Sequence, residues 1–597
     1  MNMVKSKQTS GTPNPVRELL LGNQAIARGA WEAGVSFAAG YPGTPSTEII
    51  ETLAARFPET NPRWSTNEKV AFEEGMGAAI GGLRVLVTMK HVGLNVAADA
   101  FMVFPYAGTN GGFIVVSADD PGMHSSQNEQ DNRYLARMGK VPVIEPSDAQ
   151  ECRDFVQQGM TISEQFGTPV MLRTTTRLAH HKGLVNLGNR QDVPRRDFVP
   201  DPVRYSVPIY RRLLRPKVEE RLTSLREYAE QCSLNRVEYR DSEIGVVTSG
   251  IAYQYVREVI PDAAVLRLGM TFPLPPALLR EFCSRYNTVY IVEEGEPFIE
   301  EYMLSLGIDN LVGKDLFGLI GEYSPGRLRT ALDLGVVPAP FTEGIQLLPR
   351  PPVFCTGCGH RTVFASLRQL KVVVSGDIGC YTMGALPPYE AEHTTFCMGA
   401  SIGTAVGLEM AGHERVVAVI GDSTFIHAGI PPLIDAVYNG SNLTLVILDN
   451  SATGMTGGQP HAATGKNALG DPTPRLDLAA LCRSTGVEHV TVIDTWQRKE
   501  MTQTIRKALA HKGPAVVIAQ GPCMQLPEMK RRDIPPYVVL EDLCTQCDAC
   551  FKVWCPAIKR TESGFPKIVG SECTSCTVCA QVCPTEAICL AEQAVSI

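Results

Sequence analysis

Val416-Val417-Ala418-Val419-Ile420-Gly421-Asp422-Ser423, followed one helix later by Leu443-Thr444-Leu445-Val446-Ile447-Leu448-Asp449-Asn450-Ser451, is the stretch from which the fold is read. Each run is apolar without alternation and stops at a small polar turn. Continuous apolar strands with helical text between them mark a parallel sheet covered on both faces, hence an α/β fold. Two successive strands of this kind bring their closing turns to the same edge. Open α/β sheets bind ligands outside the carboxyl ends of their strands.

Working outward, the same text recurs. Val372-Val373-Val374-Ser375 precedes the pair. Far upstream stand Val35-Ser36-Phe37-Ala38-Ala39, Arg84-Val85-Leu86-Val87-Thr88-Met89, Gly112-Phe113-Ile114-Val115-Val116-Ser117 and Pro169-Val170-Met171-Leu172-Arg173. Residues 183–242 break the rhythm with charges and prolines and predict a linker carrying a helix over 217–231. A second α/β stretch opens at Ile244-Gly245-Val246-Val247-Thr248 and includes Val289-Tyr290-Ile291-Val292-Glu293. The third follows the proline-rich Leu348-Pro349-Arg350-Pro351-Pro352. The expected divisions are 1–182, 183–242, 243–345, 346–533 and a cysteine-rich 534–597. Residues 1–15, rich in Ser, Thr, Gly, Pro and Lys, read as a disordered lead-in. A chain of 597 residues exceeds what one core serves.

Asp422 and Asn450, closing neighbouring strands, are oxygen donors suited to a hard divalent ion such as Mg2+, which keeps phosphate in its shell. The bland alternative is two ordinary turns. Gly399-Ala400-Ser401-Ile402-Gly403 sits at a strand-to-helix turn, where the backbone N–H groups of Gly399 and Ser401 either add donors for a diphosphate or permit a small-residue helix contact.

Eight cysteines near the C-terminus form two groups, Cys544, Cys547, Cys550, Cys555 and Cys573, Cys576, Cys579, Cys583. Each opens as C-x2-C-x2-C, and the second closes as C-x3-C-P, the run in which the fourth cysteine serves the other 4Fe-4S cluster. One cluster is assigned Cys544, Cys547, Cys550 and Cys583, the other Cys573, Cys576, Cys579 and Cys555. The first run is one residue longer, C-x4-C-P. Zinc is the rival, but triplets two residues apart crowd a tetrahedral ion. The chain is therefore expected to move electrons.

Composition sets the remaining bounds. Hydrophobic residues make up 44% and charged residues 20%. No apolar run reaches bilayer length and no signal-peptide core follows the first lysines, so a cytoplasmic protein without membrane attachment is expected. The 18 cysteines are then thiols or metal ligands. A net charge of −8 argues against nucleic acid as a partner. Lys530-Arg531-Arg532 reads either as a docking cluster for an acidic electron carrier or as a solvated linker.

G-D-S followed by D-N resembles the G-D-G…N motif of thiamine diphosphate enzymes, and its surroundings resemble the 2-oxoacid:ferredoxin oxidoreductases. Thr356-Gly357-Cys358-Gly359-His360-Arg361, Asp377-Ile378-Gly379-Cys380-Tyr381-Thr382 and His427-Ala428-Gly429-Ile430-Pro431-Pro432 carry the likeness. Nearly the whole chain resembles the large subunits of this family that act on indolepyruvate.

The resemblance implies the domain order: thiamine diphosphate pyrimidine-binding domain, linker, transketolase C-terminal-like domain, diphosphate-binding domain and two-cluster ferredoxin domain. It implies that Asp422, Asn450 and the Ala452 carbonyl hold Mg2+ and that Gly421 lets the backbone approach the diphosphate. Ser423 replaces a glycine of the wider motif. Asn67-Glu68-Lys69-Val70-Ala71 resembles the start of the pyrimidine-domain helix, which makes Glu68 the activating carboxylate, with Glu73 and Glu74 as fallbacks. Without the resemblance, Glu68 is a first-turn helix residue capped by Asn67.

Gly40-Tyr41-Pro42-Gly43-Thr44-Pro45-Ser46 resembles the turn whose threonine lies near the substrate carboxylate, here Thr44. Otherwise it is a turn with Ser46 as helix cap. An arginine that marks pyruvate-specific relatives is missing after Val116-Ser117-Ala118, which argues against pyruvate. His91 and His124 read either as site residues or as satisfied core and loop histidines. Cys355, Cys358, Cys380 and Cys523 match the positions of a further 4Fe-4S cluster next to the thiamine. The residues alone leave zinc or buried thiols equally open.

The implied reaction is an arylpyruvate plus coenzyme A and oxidised ferredoxin giving aryl-acetyl-CoA, CO2 and reduced ferredoxin. A smaller beta subunit is the implied partner, in a dimer of heterodimers. The alternatives are a relative acting on phenylglyoxylate or a branched-chain 2-oxo acid, and a non-oxidative thiamine-dependent decarboxylase.

Overall fold

The computed structural model describes residues 16–206, 208–335, 351–530 and 534–594. The expected lead-in 1–15, most of the proline-rich stretch at 348–352, and Arg531 and Arg532 fall outside these. The chain divides into two compact units, 1–339 and 340–597.

The first unit is built on a seven-stranded sheet. Its order is Met270–Phe272, Val143–Ile144, Val170–Thr175, Phe113–Asp119, Val85–Lys90, Phe37–Gly40 and Pro62–Trp64. Every pairing is parallel except that of Met270–Phe272. Successive side chains of a strand point to opposite faces, and here both faces are covered. Leu86, Ile114, Val116, Val170 and Leu172 belong to one core, and Val85, Val87, Phe113, Val115 and Met171 to another. Double coverage is why these strands carry unbroken apolar text. The helix Ala149–Phe166, covering one face, is capped by Asp148, whose carboxylate accepts from Glu151 N at 2.8 Å.

A five-stranded sheet follows in the same unit: Leu311–Val312, Val289–Val292, Gly245–Ser249, Ala264–Leu268 and the antiparallel Arg236–Glu238. One residue separates Ala264–Leu268 from Met270–Phe272, which crosses to the edge of the seven-stranded sheet. Buried charges reinforce that junction. Arg133 donates to Asp131 and to Glu293 (2.8 Å), while Arg173 donates to Asp119 (2.6 Å) and Glu145 (2.8 Å). The helix expected over 217–231 begins earlier and runs Arg211–Gln231.

The second unit has a fully parallel five-stranded sheet, Val373–Ser375, Val416–Gly421, Thr444–Asp449, Ala515–Gln520 and His489–Asp494. Two antiparallel pairs complete it, Tyr537–Val539 with Ile588–Leu590 and Ile558–Arg560 with Pro566–Ile568. Their small core centres on Cys550, Val553, Ile558 and Ile588. A core so thin is the kind that small domains supplement with metal ligation. Among the described residues no helix is long and apolar enough to cross a membrane.

Candidate active site

In the second unit, Gly421 pairs with Leu448 across the parallel ladder, so the turns at 422 and 450 are neighbours, as the strand pattern requires. Asp422 is buried, and its Oδ1 accepts from Ser423 N and its Oδ2 from Ser451 N, both at 2.8 Å. Burial pushes its carboxyl up, opposed by His461, whose Nε2 stands 3.2 Å from Oδ2. Asn450 Oδ1 accepts from Ala452 N at 3.1 Å. Ser451 adopts φ 56°, the left-handed bend that folds the Asn450 and Ala452 backbone around the turn. Ser423 Oγ stands 3.1 Å from Thr453 Oγ1. Gly421 has the Tyr381 ring against it, 2.9 Å from where a Cβ would lie. Asp422 and Asn450 thus lie on adjoining turns, joined through the Ser451 N–H, and carry oxygen donors of the kind Mg2+ takes.

The N–H groups of Gly399 and Ser401 are directed elsewhere. Both donate to the Asp377 carboxylate, at 2.8 and 2.9 Å, so Asp377 caps the helix Ala400–Met410. Asp377 stands in the Asp377-Ile378-Gly379-Cys380 motif, where nothing in the sequence alone assigns it a role. Its signal is an acid just after the strand Val373–Ser375, before a helix whose first turn lacks an acid.

Four cysteines meet beside the Asn450 turn. Cys523 N donates to the Asn450 carbonyl at 2.8 Å. A Cβ on Gly454 would stand 3.6 Å from Cys380 Sγ, 4.0 Å from Cys523 Sγ and 3.4 Å from Asn450 Nδ2. Burial pushes the Cys358 thiol to about 12, opposed by the His360 N–H and Arg361 and aided by the Cys355 and Cys380 sulfurs, and burial, then Cys523 and Cys355, push Cys380 to about 11. Thiolates here therefore need a cationic group against them. Gln525 Nε2 donates to Cys355 Sγ at 3.3 Å. The residue set fits an iron–sulfur group.

The tail cysteines lie in two neighbourhoods. Cys544, Cys547, Cys550 and Cys583 line one cavity. After burial, the sulfurs of Cys576, Cys555 and Cys573 drive the Cys579 thiol up to about 12. Cys358 lines a second cavity together with Cys555, Cys576 and Cys579, so the Asn450-side group and the second tail group adjoin. Arg361 ties them, donating from Nε to the Cys355 carbonyl at 2.8 Å and from Nη1 to the Trp554 carbonyl at 2.5 Å. Among the described residues no three Cys, His, Asp or Glu side chains converge closely enough to hold a single metal ion.

In the first unit, Glu68 opens the helix Glu68–Ile80 and is 4% exposed. Asn67 caps that helix, accepting from Val70 N at 2.9 Å. The missing side chain of Gly93 makes room for the carboxyl, since a Cβ there would fall 2.7 Å from Glu68 Oε1. The fallbacks differ: Glu73 is exposed and pairs with Lys69, and Glu74 accepts from Ser65 Oγ at 2.8 Å. Thr44 lies in the turn after Phe37–Gly40, on the same carboxyl edge. Ser46 holds the cap position, but its hydroxyl donates to the Gly43 carbonyl at 2.8 Å instead of accepting from the helix. His91 is buried with Nε2 3.2 Å from the Asn128 carbonyl, and His124 stands 3.2 Å from Glu322.

Two family models match this chain. One, pyruvate flavodoxin/ferredoxin oxidoreductase, thiamine diphosphate-binding, covers residues 28–210, and the other, thiamine pyrophosphate enzyme, C-terminal TPP-binding domain, covers 377–519. Fold and matches together define a thiamine diphosphate-dependent 2-oxoacid oxidoreductase. Relatives named indolepyruvate oxidoreductase subunit IorA align over nearly the full length. That of Archaeoglobus fulgidus is 42% identical, covering 95% of this chain and 97% of its own. Those of Methanothermobacter thermautotrophicus (41%; 95% and 96%) and Thermococcus kodakarensis (40%; 96% and 96%) are similar. The chain belongs to the indolepyruvate oxidoreductase IorA family.

Proposed function

We propose that the chain is the large subunit of a complex that oxidatively decarboxylates indolepyruvate and related arylpyruvates. With coenzyme A the products are aryl-acetyl-CoA, CO2 and two molecules of reduced ferredoxin. The observation that carries the reading is the junction of the Asp422 and Asn450 turns with Cys355, Cys358, Cys380 and Cys523, an oxygen-donor site against a thiol group. Thiamine diphosphate, when bound, supplies the nucleophilic carbon and the electron sink that decarboxylation of a 2-oxo acid needs.

This chain's residues do the rest. Asp422, Asn450 and the Ala452 carbonyl would hold Mg2+ and so anchor the diphosphate. Glu68, buried at a helix start, would hold the proton on the aminopyrimidine. The Thr44 hydroxyl would donate to the substrate. Cysteines 355, 358, 380 and 523 would ligate the 4Fe-4S cluster nearest the thiamine. The two tail groups would ligate the 4Fe-4S clusters that lead to ferredoxin. Of the five sequence divisions, 1–182 would carry Glu68 and Thr44, 346–533 the Asp422 and Asn450 turns with the first four cysteines, and 534–597 the two tail groups; a smaller subunit would complete the complex.

The test is viologen reduction by the purified complex with indolepyruvate, with and without coenzyme A. Reduction that depends on coenzyme A is expected. Release of CO2 without viologen reduction would show a non-oxidative decarboxylase instead.

A further inference from the structure

The carboxyl edge of the seven-stranded sheet carries more than Glu68 and Thr44. Lys90 closes the strand Val85–Lys90, and its stem lies across Gly43, where a Cβ would stand 3.3 Å from Lys90 Cβ. Its Nζ donates to the Ser125 carbonyl at 2.8 Å, and Ser125 Oγ lies 3.4 Å from the Thr44 carbonyl. Lys90, Ser125 and the Thr44 turn therefore share one corner. Burial pushes the Lys90 ammonium down to about 8, against the pull of Asp120 and Glu68. Asp120 is engaged by Ser125 N, Ser126 Oγ and Thr176 Oγ1, at 2.8, 2.6 and 2.6 Å. An ammonium has three N–H donors, and the Ser125 carbonyl accounts for one.

A half-buried cation is costly unless an anion completes it. It stands on the edge where α/β sheets take ligands, and a 2-oxo acid is anionic at its reacting end. We propose that Lys90 receives the carboxylate of the 2-oxo acid and holds it beside Thr44. This rests on the function proposed above. Charge-assisted N–H···O bonds are about twice as strong as neutral ones, so Lys90 would carry much of the preference for an acid over a neutral ketone.

The experiment compares the holo-complex with its Lys90→Met and Lys90→Arg forms. The substrate is phenylpyruvate, and the competing probe is phenylacetone, in which a methyl replaces the carboxylate. Lys90→Met should raise KM for phenylpyruvate roughly ten- to a hundredfold. It should leave phenylacetone inhibition and thiamine content unchanged, with Lys90→Arg recovering part of the loss. An unchanged KM, or equal weakening toward both compounds, overturns the assignment. A second measurement uses the unaltered complex, so that a misfolded variant does not decide the matter. Brief acetylation read by peptide mass spectrometry should find Lys90 shielded by phenylpyruvate and not by phenylacetone; equal labelling with and without phenylpyruvate overturns the assignment. Failure of the underlying function looks different, because the unaltered complex would then turn over no 2-oxo acid at all.

Discussion

Asp422→Asn separates cofactor anchoring from folding. The carboxylate accepts two backbone N–H bonds at 2.8 Å. Bonds to a charged acceptor contribute about 1.5–3 kcal/mol each and neutral ones about 0.5–1.5. Losing the charge therefore costs about 1 kcal/mol per bond. The new amide also turns its NH2 toward one of those donors, leaving a buried N–H without an acceptor at about 1–3 kcal/mol more. The sum, about 3–5 kcal/mol, is below the stability of an ordinary domain, about 5–15 kcal/mol. Expected, then, is a folded protein whose unfolding midpoint drops by roughly 6–20 °C. Its thiamine content, assayed as fluorescent thiochrome, should fall to background while its iron content and visible absorbance stay as in the wild type. A variant that keeps a full complement of thiamine would refute the assignment of Asp422 as the metal anchor.

Four further outcomes follow from the geometry. Glu68→Gln should cut turnover by roughly 10²–10⁴-fold with thiamine still bound, checked by steady-state rates beside thiochrome content. Paramagnetic resonance should show the same tail cluster lost in Cys583→Ser as in Cys544→Ser, and the other one lost in Cys555→Ser, if the runs cross. Gln525→Leu removes an N–H bond to Cys355 Sγ and should make one cluster harder to reduce by a few tens of millivolts, read by redox titration. Burial pushes Glu392 up to about 8, the Thr395 hydroxyl opposing and Asp377 adding to the shift. Its proton is thus held more tightly in the fold than in the open chain. That contribution is complete below the ordinary glutamate range and is lost as pH climbs through about 8. Denaturation between pH 5 and 9 should find the wild type losing a few kcal/mol more than Glu392→Gln.

Much of the architecture was legible because parallel strands buried on both faces leave continuous apolar text. Phe37–Gly40, Val85–Lys90, Val416–Gly421 and Thr444–Asp449 stand within two residues of where that text places them. Pro62–Trp64, Val143–Ile144 and Met270–Phe272 were not, since two or three residues hold no periodicity and their pairing comes from distant chain. Cysteine spacing could be read for a tail grouping because ligand geometry is imprinted on short runs. Asp377, Arg361 and Lys90 have no role legible in the sequence, because an acid, a guanidinium and an ammonium acquire meaning only from the carbonyls and amides folding brings to them. Gly399 and Ser401 show the converse: their N–H groups lie at a helix start, as read, but a side chain of the same chain reaches them first.

Met270–Phe272 leaves one sheet to finish the border of another. A fragment that stopped near residue 242 would strip that border, baring the short Val143–Ile144 strand and uncoupling Arg133 from Glu293. Exposed strand borders recruit foreign strands, and a guanidinium stripped of one carboxylate partner inside a core is strongly destabilising. Residues 16–335 should accordingly melt as one cooperative block and resist dissection into separately expressible halves.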